Sequence, residues 1–338
     1  MYRVSIAGRH YSDPDVLSFI IASGGSGDPR QEVIRKARQL NRKLCSFGGP
    51  IVNPRQRMEL LASLAGIKIE HTIRAHALSR DSSREALIVH EPDGSRRIVY
   101  DPSYPDTRIN FTIAHEISHT FFPEAGGARF RGMCDQDSRE ANELERLCDL
   151  GAAELLMPSE EFEQAANGRF GLKIVATLAT RFGSSVEATV YRLATAYDGV
   201  AIAGLLRHRL RKGERRLECT QQYLFDHDTD DQKRAPKYRR QSLHLSLGCD
   251  AAHHIPWNKS FDEKSCVYRI TKPGEIVSAQ EVLPNQSHKL GTIEAMLAPF
   301  QRPNEESLRG DVLFVWYLHA PKRRSQIATR IARRPTRS

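Results

Sequence analysis

Five consecutive residues in the first half of the chain have the types and spacing of a metal-dependent hydrolase. The segment 115–119 reads His-Glu-Ile-Ser-His, which is the H-E-x-x-H pattern typical of zinc hydrolases. Residues four apart share one face of a helix, so His115 and His119 can bind one ion together. Glu116 is turned by about 100° around the helix axis. This spacing predicts that its carboxylate acts beside the ion as a general base toward water.

The residues around this motif predict that it lies on a buried helix. Apolar flanks at 111–114 and 120–122 extend the helix over about 107–122, and Pro123 ends it. Buried histidine and glutamate side chains need partners, and a metal ion satisfies all three of them. The alternative, a pair of hydrogen-bonded core histidines without a metal, is less favoured.

A catalytic zinc ion usually has three protein ligands and one water, so a third ligand must come from elsewhere in the chain. A second helix, with an acidic start and an apolar stripe, is predicted over 138–157. Spacing alone does not choose among the downstream carboxylates, which are Asp135, Asp137, Glu140, Glu143, Glu145 and Glu154.

The second helix carries a family resemblance. Residues 145–158, ERLCDLGAAELLMP, resemble the second signature of the ImmA/IrrE metallopeptidases, and the approach to the first helix, 108–116, is similar as well. The resemblance implies a gluzincin-like site in which His115, His119 and Glu145 bind zinc and Glu116 is the general base. The sequence departs from many relatives at 148–149, where Cys-Asp replaces Ala-Asn. Asp149 is nevertheless a candidate for orienting a ligand.

The resemblance also implies an activity and a substrate class. The activity is that of a metallo-endopeptidase acting on a protein, and the implied substrate is a helix-turn-helix transcriptional repressor. Its cleavage would switch on stress-response or mobile-element genes. Zinc is the expected metal, and manganese or iron also suit these ligands. Tyr100 and Tyr104 precede the active helix and are candidate hydrogen-bond donors to the oxyanion.

Two other functions remain open at this point. One is a DNA-binding transcription regulator in which zinc has only a structural role. The other is an interaction protein that forms complexes without turnover. A general base at Glu116 favours the peptidase, because a structural zinc site has no use for it.

Composition places the chain among ordinary globular proteins. It has 338 residues, which suggests two or three domains, with 40% apolar and 27% charged residues. No apolar run has the length of a signal peptide or a membrane span, so a cytoplasmic protein without a membrane partner is predicted. Its 6 cysteines form no C-x-x-C pair, which disfavours a disulfide scaffold or a zinc finger.

The order of predicted elements indicates an α+β protein. The expected parts are an irregular N-terminal segment (1–28), a zincin-like peptidase domain (29–168), a helix-turn-helix-like segment (169–198), a C-terminal sensor or docking domain (199–319) and a basic tail (320–338). The peptidase domain is expected to combine helices with a short antiparallel sheet. The C-terminal domain is expected to be mixed α/β, and the resemblance implies a GAF-like fold for it.

Local patterns in the C-terminal domain predict four strands, at 200–206, 242–247, 267–270 and 312–317, and a helix at about 290–300. Histidines and a cysteine there match no known metal spacing and are interpreted as ordinary structural residues. They are His227, His244, Cys249, His253 and His254.

Nucleic-acid binding has two candidate features, and neither is favoured. The second helix of the helix-turn-helix-like segment is expected to expose Glu187, Thr189 and Arg192, a set poorly suited to DNA. A structural or substrate-docking role is therefore preferred for this segment. The tail contains seven basic residues and no acidic one, and a solubilising tail is favoured over a nucleic-acid contact because it lacks an aromatic residue for stacking.

Overall fold

The protein contains two compact units in this computed structural model. The first comprises residues 1–168 and 176–189, and the second comprises 169–175 and 190–338. The residues that the structure describes are 4–6, 8–24, 27–46, 53–71, 86–123, 139–210, 236–246, 248–284, 289–299 and 309–318. The predicted basic tail and residues 124–138 lie outside them. No described helix is both long and apolar enough to cross a bilayer.

The first unit is mainly helical. Its helices are α1 (Pro14–Ala22), α2 (Pro29–Ser46), α3 (Pro54–Leu64), α4 (Asp106–His119), α5 (Arg139–Leu156) and α6 (Ser159–Ala166). Two further helices, α7 (Val175–Phe182) and α8 (Val186–Thr195), follow and are divided between the two units.

Most of the described residues of the N-terminal segment lie in strands or a helix, so the prediction of an irregular segment was wrong. Strands β1 (Val4–Ile6) and β2 (Arg9–Tyr11) form an antiparallel pair ahead of α1. The Asp13 side chain caps α1 by accepting hydrogen bonds from the backbone N–H groups of Asp15 and Val16, at 2.8 and 3.0 Å. Helix α1 buries its apolar residues, and this burial stabilises a segment whose local pattern alone is weak.

A three-stranded sheet precedes the active helix. It consists of β3 (Ile67–His71), β4 (Ala86–His90) and β5 (Arg96–Tyr100) in the order β3-β5-β4. The β4–β5 hairpin is antiparallel as predicted, and Gly94 supplies the positive φ of 81° in its turn. Strand β3 is parallel to β5, so the prediction of an antiparallel sheet was wrong for this strand. Turn chemistry fixes only the pair that the turn connects.

The helices α4 and α5 approach each other closely at Gly151. A Cβ atom at this position would lie 2.6 Å from Ser118 Oγ of α4 and 3.0 Å from Val33 Cγ1 of α2. Glycine inside a helix is less favourable than alanine by about 1 kcal/mol. The close approach explains why a glycine stands in the middle of α5.

The second unit contains a five-stranded antiparallel sheet with the strand order β7-β6-β10-β9-β8. Its strands are β6 (Ala201–Arg209), β7 (Lys237–Leu245), β8 (Val277–Val282), β9 (Leu290–Leu297) and β10 (Val312–Tyr317). A buried cluster covers this sheet and includes Phe314 and Trp316 of β10. The indole N–H of Trp316 donates to the carbonyl oxygen of Glu281 at 3.0 Å.

Two predictions in this unit were wrong. Strand β9 replaces the helix predicted at 290–300, and a short 3-10 helix, Cys266–Tyr268, replaces the strand predicted at 267–270. Strand β9 pairs with β8 on one side and with β10 on the other. Burial on both faces removes the alternating pattern that would distinguish a strand from a buried helix.

The turn between α7 and α8 packs closely against α3 of the first unit. Gly183 has a positive φ of 61°, and a Cβ atom there would lie 2.4 Å from the Pro54 Cβ atom. Thr189 is buried, contrary to the prediction, and its hydroxyl lies 2.7 Å from the hydroxyl of Ser184. Close packing at the turn is compatible with a structural role for this helix pair.

Replacing Gly151 with alanine tests the close approach of α4 and α5. The added methyl would collide with Ser118, so we expect Gly151→Ala to lower the free energy of unfolding by about 1–3 kcal/mol, as measured by urea denaturation. Ser118→Ala removes the nearest atom and should partly rescue the variant. A Gly151→Ala protein more stable than the wild type by the ~1 kcal/mol that helix propensity alone gives would show that the methyl group meets no steric resistance here.

Candidate metal centre

Helices α4 and α5 bring three donor side chains to one point. His115 and His119 lie one turn apart on α4, and their Nε2 atoms are 3.1 Å apart. Glu145 reaches them from α5. Its Oε2 atom lies 2.9 Å from His115 Nε2, and its Oε1 atom lies 3.7 Å from His119 Nε2. One donor atom of each of the three residues lies within 4.8 Å of the other two.

This donor set fits a zinc ion. Zinc binds imidazole nitrogen and carboxylate oxygen at about 2.0–2.2 Å, which places neighbouring tetrahedral ligands about 3.3 Å apart. The observed separations of 2.9, 3.1 and 3.7 Å lie around this value. Three protein ligands also leave a fourth position for water, as in catalytic rather than structural zinc sites.

The other ring nitrogen of each histidine faces a side chain of α5. His115 Nδ1 lies 3.0 Å from Asp149 Oδ1, and His119 Nδ1 lies 3.3 Å from Cys148 Sγ. Both Nε2 atoms therefore face the Glu145 carboxylate. The sequence singled out Asp149 as a candidate orienting residue but gave Cys148 no role. The sequence feature that could have pointed to Cys148 is the Cys-Asp pair at 148–149, where many relatives have Ala-Asn.

The site combines buried imidazoles with exposed carboxylates. The His115 and His119 side chains are 15% and 8% exposed, whereas Glu145 and Asp149 are 53% and 56% exposed. Burial lowers the pKa of His115, but hydrogen bonds to Asp149 and Glu145 and the negative charge of Glu116 raise it overall to about 10. The surroundings of His115 therefore strongly favour a positive charge at this point, which is what a cation-binding site requires.

The structure separates the carboxylates among which spacing could not choose. Glu143 accepts hydrogen bonds from the backbone N–H groups of Ser12 and Asp13, at 2.8 and 3.1 Å. Glu154 is buried and accepts from the Ser159 hydroxyl and from Arg38. The side chains of Asp135, Asp137 and Glu140 lie outside the described residues. Of the described candidates, Glu145 is the one in contact with both histidines.

The candidate oxyanion residues have other neighbours. The guanidinium of Arg55 lies 5.2 Å from the Tyr100 ring centre, and that of Arg108 lies 5.1 Å from the Tyr104 ring centre. Neither of these two contacts involves His115, His119 or Glu145. Their role in stabilising an oxyanion stays a prediction.

Within the described part of the chain, no second group of histidine, cysteine and carboxylate side chains has this arrangement. His244 stacks on Tyr191 with ring centres 3.8 Å apart, and His253 pairs with Asp250 at 2.6 Å. His227 lies outside the described residues.

Comparisons with known proteins show what the region around these helices resembles. Residues 69–194 match the family described as IrrE N-terminal-like domain, Peptidase_M78. The radiation response metalloprotease IrrE of Deinococcus deserti is 36% identical over 123 residues, covering 30% of this chain and 41% of that protein. The match thus spans about two fifths of the relative's length. The chain contains an IrrE N-terminal-like domain, and its resemblance to the ImmA/IrrE family is confirmed.

A solved structure is similar over a longer range. The Mycobacterium tuberculosis transcriptional regulator has a TM-score of 0.50 and 14% sequence identity, covering 90% of this chain and 80% of that chain. At this identity the similarity concerns the fold alone.

Replacing single carboxylates on α5 and α6 should identify the third ligand. We expect Glu145→Gln to weaken zinc binding by more than about 100-fold, because a metal ligand contributes more than an outer partner. Competition with a chromophoric chelator measures this affinity. Glu143→Gln and Glu160→Gln are controls, since Glu143 binds backbone N–H groups elsewhere and Glu160 is exposed. Equal affinity for all three variants would contradict the assignment.

Proposed function

We propose that the protein is a zinc-dependent endopeptidase in which His115, His119 and Glu145 hold the metal and Glu116 is the general base. The observation that carries this proposal is the convergence of the three donor atoms within 4.8 Å, with Glu116 next to a ligand on α4. The similarity to a protein named as a metalloprotease supports it.

The proposed chemistry divides between the metal and the side chains. A divalent ion held by the three ligands would supply Lewis acidity, which makes water more acidic and polarises the scissile carbonyl. Glu116 takes a proton from the attacking water and later passes it to the leaving nitrogen. Its charge already acts on the site, because it raises the pKa of His115. Tyr100 and Tyr104 remain candidates for a hydrogen bond to the oxyanion.

The exposure of the site is compatible with a polypeptide substrate. Glu145 and Asp149 are each more than half exposed in the described part of the chain. An extended backbone can reach such a surface site without unfolding the enzyme. The family resemblance suggests a helix-turn-helix repressor as the substrate, whose cleavage would derepress stress-response or mobile-element genes. We take zinc as the native metal, with manganese as the substitute to test.

A DNA-binding regulator with a structural zinc site is the alternative, and it has less support. The burial of Thr189 leaves α8 with even fewer groups for reading bases than its sequence suggested. The three-ligand set also differs from the four-ligand sets of structural zinc sites.

A cleavage assay with Glu116→Gln tests the proposed function. The variant keeps all three ligands but loses the base, so we expect normal zinc affinity and a turnover lower by about 10²–10⁴-fold. The assay incubates the wild-type chain and the variant with candidate helix-turn-helix repressors, in zinc or manganese, and follows cleavage by mass spectrometry.

The controls separate the two functions. A chelator should stop cleavage by the wild type, and added metal should restore it. Sequence-specific DNA binding that survives Glu116→Gln, together with no cleavage by either protein, would favour the regulator over the peptidase.

A further inference from the structure

We propose that Cys148 is a positioning residue that fixes the ring of His119 for metal binding. The inference rests on the proposed metal site and extends it to a side chain that does not touch the ion. Cys148 follows Glu145 by three residues on α5, so one helix supplies both a ligand and the support of another ligand.

The contact between Cys148 and His119 is short and buried. Cys148 Sγ lies 3.3 Å from His119 Nδ1, and the Cys148 side chain is fully buried. His119 itself is 8% exposed, so little water can reach the back of its ring. A buried ring nitrogen that carries a hydrogen needs an acceptor. Cys148 Sγ lies within hydrogen-bond distance of Nδ1 and can accept from it.

The contact determines which nitrogen is available to the metal. A neutral imidazole carries its hydrogen on one nitrogen and a lone pair on the other. With Nδ1–H donating to Cys148 Sγ, the lone pair lies on Nε2, the atom that faces His115 and Glu145. Partners of this kind normally fix the tautomer and the orientation of a metal-binding histidine.

Adjacent residues of α5 thus support the two histidines of α4 in different ways. Asp149 is exposed and offers a carboxylate to His115 Nδ1, whereas Cys148 is buried and offers a thiol to His119 Nδ1. A thiol is a weak acceptor that is compatible with an apolar interior. A carboxylate at the buried position would require far more compensation. The buried position therefore suits a thiol better than a carboxylate.

Three substitutions of Cys148 in the full-length protein separate hydrogen bonding from packing. Cys148→Ser keeps an acceptor, Cys148→Val fills the space without one, and Cys148→Ala removes both acceptor and volume. We expect zinc affinity to fall about 10–100-fold in the Ala and Val variants, the range found for outer-shell partners. The Ser variant should stay within about threefold of the wild type.

Zinc affinity is measured by chelator competition, and cobalt(II) absorption reports the ligand field directly. Cys266→Ala is the matched control, because Cys266 is equally buried but lies in the second unit. It should change neither zinc affinity nor the cobalt spectrum. If the Ala variant does not fold, the comparison of Val with Ser decides.

The outcomes distinguish this inference from the proposed function. Unchanged zinc affinity in the Val variant, or an equal loss in the Ser and Val variants, would overturn the role of Cys148 and leave the peptidase proposal intact. A wild type that binds zinc but cleaves no repressor would count against the peptidase alone. Failure of the wild type to bind zinc would overturn both.

Discussion

The metal cluster depends on how closely α4 and α5 can approach. Their donor atoms must meet within the few ångströms that one ion spans, and side chains are too short to bridge a wide gap between helix axes. Gly151 allows the approach, since a methyl group there would overlap Ser118. The helix thereby gives up about 1 kcal/mol of intrinsic propensity relative to alanine. The same close approach of α4 and α5 is therefore needed both to pack the core and to bring the donor atoms together.

Electrostatics gives the same region its chemical character. Two imidazoles are largely buried between the helices, and Glu116, Glu145 and Asp149 surround His115 with negative charge. Without a cation, this arrangement favours a protonated imidazole at His115, because the neighbouring carboxylates attract the positive charge and accept its hydrogen bonds. A divalent ion would balance the same carboxylates. The site is therefore poised for a cation by its charge as well as by its geometry.

The second unit is stabilised mainly by the burial of apolar residues in its sheet. Its strand β10 is buried along its whole length, and Gly291 on β9 leaves room for the Trp316 ring. Glu294, also on β9, is buried and accepts hydrogen bonds from the Leu172 backbone N–H and the Tyr317 hydroxyl. Local sequence signals failed at β9, which was predicted as a helix, because burial on both sides hides the period of two. A GAF-like ligand site in this unit stays a prediction.

The sequence by itself determined helices α4 and α5, the β4–β5 hairpin, strand β10 and the placement of His115 and His119 one turn apart on α4. These features depend on residues close together in the chain, whose spacing is fixed by helix and turn geometry. Family resemblance was needed to select Glu145, because several carboxylates on one helix look alike from spacing alone. Only the tertiary structure decided that Glu143 binds backbone groups near α1, that β3 runs parallel to β5, and that Cys148 lies behind His119. Each of these contacts joins residues far apart in the chain, and local propensity carries no information about such contacts.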